Sequence, residues 1–202
     1  MQHDHGPARM FPRPFLAESM LFGFFRQKKH NRQIMERQYA ALTAAARTPY
    51  FYTDLSVPDT VMGRFEMLSI VLILFFRRTA KSARSGQELA QEIIDAFFQD
   101  VDHSIRELGV GDPGVPKRMK KLAGRFYGRA ESYGAALDKG DGELLAQALT
   151  RNIYPERGDD APDMHGLARW MIEEEAHLRD IPEESVETGS VTLAVPGGPR
   201  LQ

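Results

Sequence analysis

Ten consecutive residues, Met67 to Phe76 (MLSIVLILFF), carry no charge and a single hydroxyl, Ser69. They lie between Glu66 and Arg77 inside a stretch from about Thr60 to Lys81 that reads as helix, so a helix through them is apolar on every side. Such a helix has to be surrounded. The run is about half of the roughly 20 residues that a membrane-spanning helix needs, which leaves other helices of the same chain as its surroundings. The expected fold is therefore all-α, a single compact helical domain of about five to six helices around this central one. Asp59 is read as its N-cap.

The rest of the chain supplies the partners. From Lys29 to Arg47, Ile34, Met35, Tyr39, Leu42 and Ala46 recur at threes and fours; Leu21, Phe22, Phe24 and Phe25 precede them without a clear period. Two prolines and the aromatics Tyr50, Phe51 and Tyr52 mark Thr48 to Pro58 as an ordered loop pinned on a core. Ser85 and Glu88 read as a capping box opening a strongly amphipathic helix that runs to about Leu108, with Gly109 at its C-cap. Pro116 starts a helix to about Leu137, Asp138 to Gly142 is a turn, and Gly142 to Asn152 is a short helix with Leu144, Leu145, Ala148 and Leu149 inward. A last helix spans about Asp163 to Arg179. The expected organisation is a disordered extension over 1–19, a helical domain over 20–155, a linker with a C-terminal helix over 156–182, and a disordered tail over 183–202 with at most one short strand at Val191 to Val195.

With 202 residues, 42% hydrophobic and 27% charged, the chain suits one core better than two. The absence of cysteine excludes a disulfide scaffold, a zinc ribbon and a thiol nucleophile. Gly109, Gly111 and Gly114 satisfy G-x-G-x-x-G, but they follow a helix and enclose Pro113, which fits a helix-to-helix turn rather than a dinucleotide site. Asp100, His103 and Glu107 share a helix edge at ligand spacing with one histidine among them, and a solvated edge is the better reading. No catalytic residue, metal or cofactor is expected. Residues 1–19 lack both an apolar signal core and an acid-free, Arg-rich transit pattern.

Charge is unevenly spread. Residues 1–155 carry 22 basic and 17 acidic groups, and residues 156–202 carry 4 and 11. The basic excess concentrates on the helix opened by Pro116, where Met119, Leu122, Ala123, Phe126, Ala130, Tyr133 and Leu137 form one apolar stripe. The opposite face collects Lys117, Arg118, Lys121 and Arg125, with Lys120 and Arg129 at its margins, and only Glu131 offsets these six. Four of them lie in the first turns, where the helix dipole favours negative charge. Gly124 and Gly128 fall on the same face, each costing about 0.8–1.0 kcal/mol relative to Ala, and their spacing lets another helix approach closely. Either a neighbouring helix of the same domain fills this groove above a solvated rim of charge, or the face receives a partner. The candidate partner-binding residues are Lys117, Arg118, Lys120, Lys121, Gly124, Arg125, Gly128 and Arg129; a cleft near Tyr50 to Tyr52 is the alternative location.

Several segments carry a resemblance. Gly63-Arg64-Phe65-Glu66-Met67-Leu68, Phe97-Phe98-Gln99-Asp100-Val101-Asp102, Arg106-Glu107-Leu108-Gly109-Val110-Gly111-Asp112, Val115-Pro116-Lys117-Arg118-Met119-Lys120-Lys121-Leu122, Phe126-Tyr127-Gly128-Arg129 and Arg151-Asn152-Ile153-Tyr154 occur in that order. Over about residues 21 to 155 the chain resembles the ubiquinol-cytochrome c chaperone family. The resemblance implies an all-helical, non-enzymatic assembly factor that binds newly made cytochrome b and helps build respiratory complex III. It also implies, for mitochondrial members, work with a small partner protein at the ribosomal tunnel exit. Free-living bacterial members would act in the cytoplasm beside the inner membrane, and the missing transit pattern favours that case. The rival reading, drawn from the residues, is a ribosome- or RNA-binding helical module in which the same cations meet phosphates, with no DNA contact expected. Its weakness is a sequence pI of about 6.3, so only a local patch could serve.

Overall fold

The computed structural model describes residues 15–109, 111–194 and 196. Its helices are α1 (Phe15–Ala46), α2 (Tyr50–Thr53), α3 (Val61–Thr79), α4 (Arg84–Glu107), α5 (Val115–Lys139), α6 (Gly142–Ile153), α7 (His165–Asp180) and α8 (Glu183–Glu187). The described residues contain no strand, and the all-α expectation holds. The chain divides into two compact units, residues 1–33 and residues 34–202. Among the described residues the first holds only the opening turns of α1. The extension expected over 1–19 lies outside the described residues as far as residue 14, and from Phe15 the backbone is helical.

Within the second unit α3 is the central helix. Met67 and every residue from Ser69 to Phe75 are buried, and α3 packs against α4, α5 and α7, while α6 joins α5 to α7. Its start is capped one residue later than expected: the Thr60 side chain accepts from the Gly63 N–H at 3.1 Å, and Asp59 instead pairs with Arg64 at 2.8 Å. Its end is tied outward, because Arg77 donates to Asp138 beyond the last buried turn of α5 and to Glu175 on α7, both at 2.6 Å. The loop expected around the three aromatics contains the single turn α2, with Phe51 1% exposed and its ring 4.7 Å from Trp170 in a T-shaped contact. Gly109 has φ +77°, and the segment after it forms a 3₁₀ turn at Asp112–Gly114, so the G-x-G-x-x-G match is a helix-to-helix connection.

The C-terminal part departs from expectation. Met164, Leu167, Ala168, Trp170, Met171 and Leu178 of α7 belong to the same core as α3, so the domain does not stop at residue 155. Beyond Pro182 the expected tail is ordered as far as Ala194. Val186 and Val191 are 0% and 1% exposed, and Glu183 accepts from Arg78 at 3.0 Å and from the Ala83 N–H at 2.9 Å. The start of α4 is thus capped from a distance, and the expected capping box is not formed: Ser85 donates to Glu187, and Glu88 pairs with Arg84. No strand forms over 191–194. The Gln38 amide takes both backbone groups of Val191, each at 2.9 Å, and Val195 lies outside the described residues.

Polar side chains far along the chain answer the backbone of this segment, which is why its composition alone reads as tail. Cutting the chain after Pro182 removes two fully buried valines, each worth about 1.5–3 kcal/mol, together with the Glu183 cap. The truncated chain should lose on the order of 3 kcal/mol or more, read as a lower urea midpoint. An unchanged midpoint would return residues 183–194 to the status of a tail.

Candidate functional site

Three short segments far apart in the sequence meet between α3, α5 and α6. They are Gly63 to Glu66 in the first turns of α3, Phe126 to Arg129 in the middle of α5, and Arg151 to Tyr154 at the end of α6. Glu66 and Arg129 are 3% and 6% exposed, and Nε and Nη2 of Arg129 donate to the two carboxylate oxygens of Glu66. Two further donors go to backbone: Nη1 to the Arg125 carbonyl at 3.1 Å and Nη2 to the Asn152 carbonyl at 3.2 Å. Burial raises the Glu66 carboxyl above the ordinary glutamate range, and the adjacent guanidinium opposes that rise. One turn on, fully buried Tyr133 lies beside the pair, and burial, then the Glu66 charge, push its phenol upward.

The same segments hold the chain at this end of the bundle by backbone geometry. A Cβ at Gly63 would lie 1.8 Å from the Pro58 carbonyl oxygen, so only glycine lets α3 begin there. The Tyr154 hydroxyl donates to the Ser56 carbonyl, a residue with φ +57°. Arg129, expected at the margin of the exposed basic face, is therefore corrected to an interior position. Its long stem and fork reach a carboxylate that the sequence places 63 residues away.

Anchoring Arg129 inward sets the rotation of α5. Phe126, Tyr133, Ala136 and Leu137 are buried with it, and Lys117, Arg118, Lys120, Lys121, Gly124, Tyr127 and Gly128 are exposed. Arg125 is half-buried, its Nη1 3.9 Å from the Met62 sulfur. Beyond its chain neighbours and the backbone of α5 itself, a Cβ on Gly124 or Gly128 would meet no atom within 4 Å, so no other element among the described residues covers this face. Nor does an ion pair hold Lys117, Arg118, Lys120 or Lys121 among those residues, whereas Arg64, Arg77, Arg78, Arg84 and Arg106 are all paired.

Two apolar contributors to this surface escaped the sequence reading. Tyr127 is 59% exposed, with its ring 6.2 Å from Phe98; its place three residues after Gly124 was the available signal. Met62 is 38% exposed and stands apart from the core run, with Gly63, Arg64 and Glu66 between it and Met67. The cleft near Tyr52 is a cavity of about 220 Å³ lined by Arg47, Tyr52, Asp59 and Arg64. Among the described residues no cluster could hold a metal ion, and no helix is long and apolar enough to cross a membrane.

The model of the ubiquinol-cytochrome C chaperone family matches residues 53–193. The chain belongs to that family. The match begins later than the sequence resemblance and runs past residue 155 to include α7, α8 and the ordered segment after them, in agreement with the shared core. The crystal structure of the Cbp3 homolog from Brucella abortus is similar, with 47% sequence identity, a TM-score of 0.79, and coverage of 87% of this chain and 96% of that one. Ubiquinol-cytochrome-c reductase complex assembly factor 1 of Xenopus laevis is 22% identical over 77% of this chain and 78% of its own. The mitochondrial protein CBP3 of Saccharomyces cerevisiae is 24% identical over 79% of this chain, which spans about half of it, 49%.

The interior anchor gives a stability prediction for this family member. Arg129→Ala leaves Glu66 buried without its cation and should cost about 3–5 kcal/mol, whereas the paired replacement Glu66→Leu with Arg129→Met should recover most of the loss. Chemical denaturation of the two variants beside the parent chain reads both. A loss below about 1 kcal/mol for Arg129→Ala would remove the pair from its anchoring role.

Proposed function

We propose that this family member is a non-enzymatic assembly chaperone of the ubiquinol-cytochrome c reductase complex that holds newly made cytochrome b on the outer face of α5. The reading is supported most by one observation: at Gly124 and Gly128 the face of α5 is open, with no atom of another described element within 4 Å of a Cβ at either position, so a partner helix could approach its backbone closely there. Tyr127 and Met62 lend the groove apolar surface, and Lys117, Arg118, Lys120, Lys121 and Arg125 rim it. A client made of apolar helices needs this combination, because close approach gives dispersion contact while the cations meet acidic loop residues. The same cations suit a peripheral position against an anionic inner-membrane surface on the cytoplasmic side of a bacterium, with Tyr127 at the level of the headgroups.

A second reading is favoured by the four cations without ion pairs: the face would bind ribosomal or other RNA through phosphates. The two readings separate in one experiment. Changing Lys117, Lys121 and Arg125 together to Glu should leave the melting temperature within a few degrees and abolish both cytochrome b co-purification and assembled reductase. Gly124→Trp should have the same effect by filling the groove. Gly124→Ala should stabilise α5 by about 0.8–1.0 kcal/mol and keep function. RNA binding would instead tolerate Gly124→Trp and lose salt sensitivity with each cation removed. Normal reductase levels in all variants would place the client elsewhere.

A further inference from the structure

Residues 188–194 cross from α8 over α1 to α7, and polar side chains of those helices hold their backbone. Arg37 of α1 donates to the carbonyls of Thr188 and Gly189, the second at 3.2 Å, and Gln38 takes both backbone groups of Val191. Gly189, with φ +61°, lies so close to α1 that a Cβ would sit 2.7 Å from the Ile34 carbonyl oxygen. At the far end the Trp170 indole N–H points to the Ala194 carbonyl at 3.4 Å, and Glu174 Oε2 accepts from the Ala194 N–H at 3.1 Å. Glu174 is 2% exposed, and its other oxygen, Oε1, is buried with no hydrogen-bond partner among the described residues. A carboxylate that keeps one donor for two oxygens is poorly solvated in its charged form.

Among the described residues no cation compensates it. The crossing segment itself, Thr188 to Ala194, carries no charged side chain. On α1, Arg37 is occupied by the two carbonyls; on α3, Arg77 is occupied by Asp138 and Glu175, and Arg78 by the Ile181 carbonyl and Glu183. On α7, Glu173 and His177 are exposed, away from the buried side that Glu174 shares with Met171 and Leu178, while Glu175 is paired with Arg77.

We propose that Glu174 makes residues 188–194 a proton-controlled clasp, closed over α1 and α7 while its carboxyl is protonated and loosened when the carboxyl ionises. Burial pushes Glu174 up to about 7, partly offset by the Ala194 N–H, which places the change near neutral pH. The sign follows from linkage. The closed state holds the proton more tightly than the open one, so closure is strongest below the ordinary glutamate value and weakens as pH rises toward 7. Above that value it levels off.

Native-state hydrogen exchange of the Val191 and Ala194 amides, corrected for intrinsic exchange and followed from pH 5 to 8, tests the clasp in the full chain. The opening constant should rise by about tenfold per pH unit up to about pH 7 and then flatten, and Glu174→Gln, a neutral acceptor of the same shape, should abolish the slope. The carboxyl ¹³C resonance of Glu174 in the unaltered chain gives a second reading, with an expected midpoint near 7. An ordinary glutamate midpoint, a flat profile in the parent chain, or the same slope in Glu174→Gln would overturn the proposal.

Discussion

The ion pair between Arg129 and Glu66 is the interaction on which the rest of this molecule turns. Two charges taken out of water cost several kcal/mol each, and a bidentate contact with further hydrogen bonds offsets that cost. Here both carboxylate oxygens are taken by the guanidinium, and two further donors reach the carbonyls of Arg125 and Asn152. The pair therefore fixes α5 in rotation as well as position, since turning the helix by one residue would move Arg129 by 100° away from Glu66 and expose it. With the inner face set in this way, the outer face is determined too: Gly124, Tyr127 and Gly128 have nowhere to be but the surface.

A second constraint acts at the other end of the core. Arg77 and Arg78 leave α3 where its apolar run ends, one reaching α5 and α7, the other the start of α8. Val186 and Val191 then close the core that α3 and α7 share. The acidic stretch from residue 156 onward, set apart by its charge, thus meets the basic part of the chain inside one unit. Its Glu175 and Glu183 are the carboxylates to which the two arginines bind.

Much of the fold was legible because it rests on local pattern. Met67 to Phe76 can only be a surrounded helix, the wheel of α4 separates cleanly into two halves, and the turn at Gly140 and Asp141 has a left-handed glycine followed by an N-cap. What stayed hidden depends on distance along the chain. Arg129 has the same residue type and neighbourhood as the cations that remain exposed, and only Glu66 distinguishes it. The segment after Pro182 is short, polar and rich in small residues, and it is ordered by Arg37 and Gln38, 152 and 153 residues from the Gly189 and Val191 they bind, and by Trp170 and Glu174, 24 and 20 residues from the Ala194 they hold. The exposed face of α5 was legible in its glycines and lysines, whereas Met62 joins it only through the packing of α3 beside α5.

The central proposal is that the interior anchor leaves the outer face of α5 exposed to a client, proposed above to be cytochrome b. Its most direct test is contact. A photo-crosslinking amino acid placed at Tyr127 in cells actively making cytochrome b should join the chain to that client, while the same group at exposed Arg169 on α7 should not. Equal crosslinking from both positions, or a cytochrome b adduct from Arg169 alone, would contradict the account.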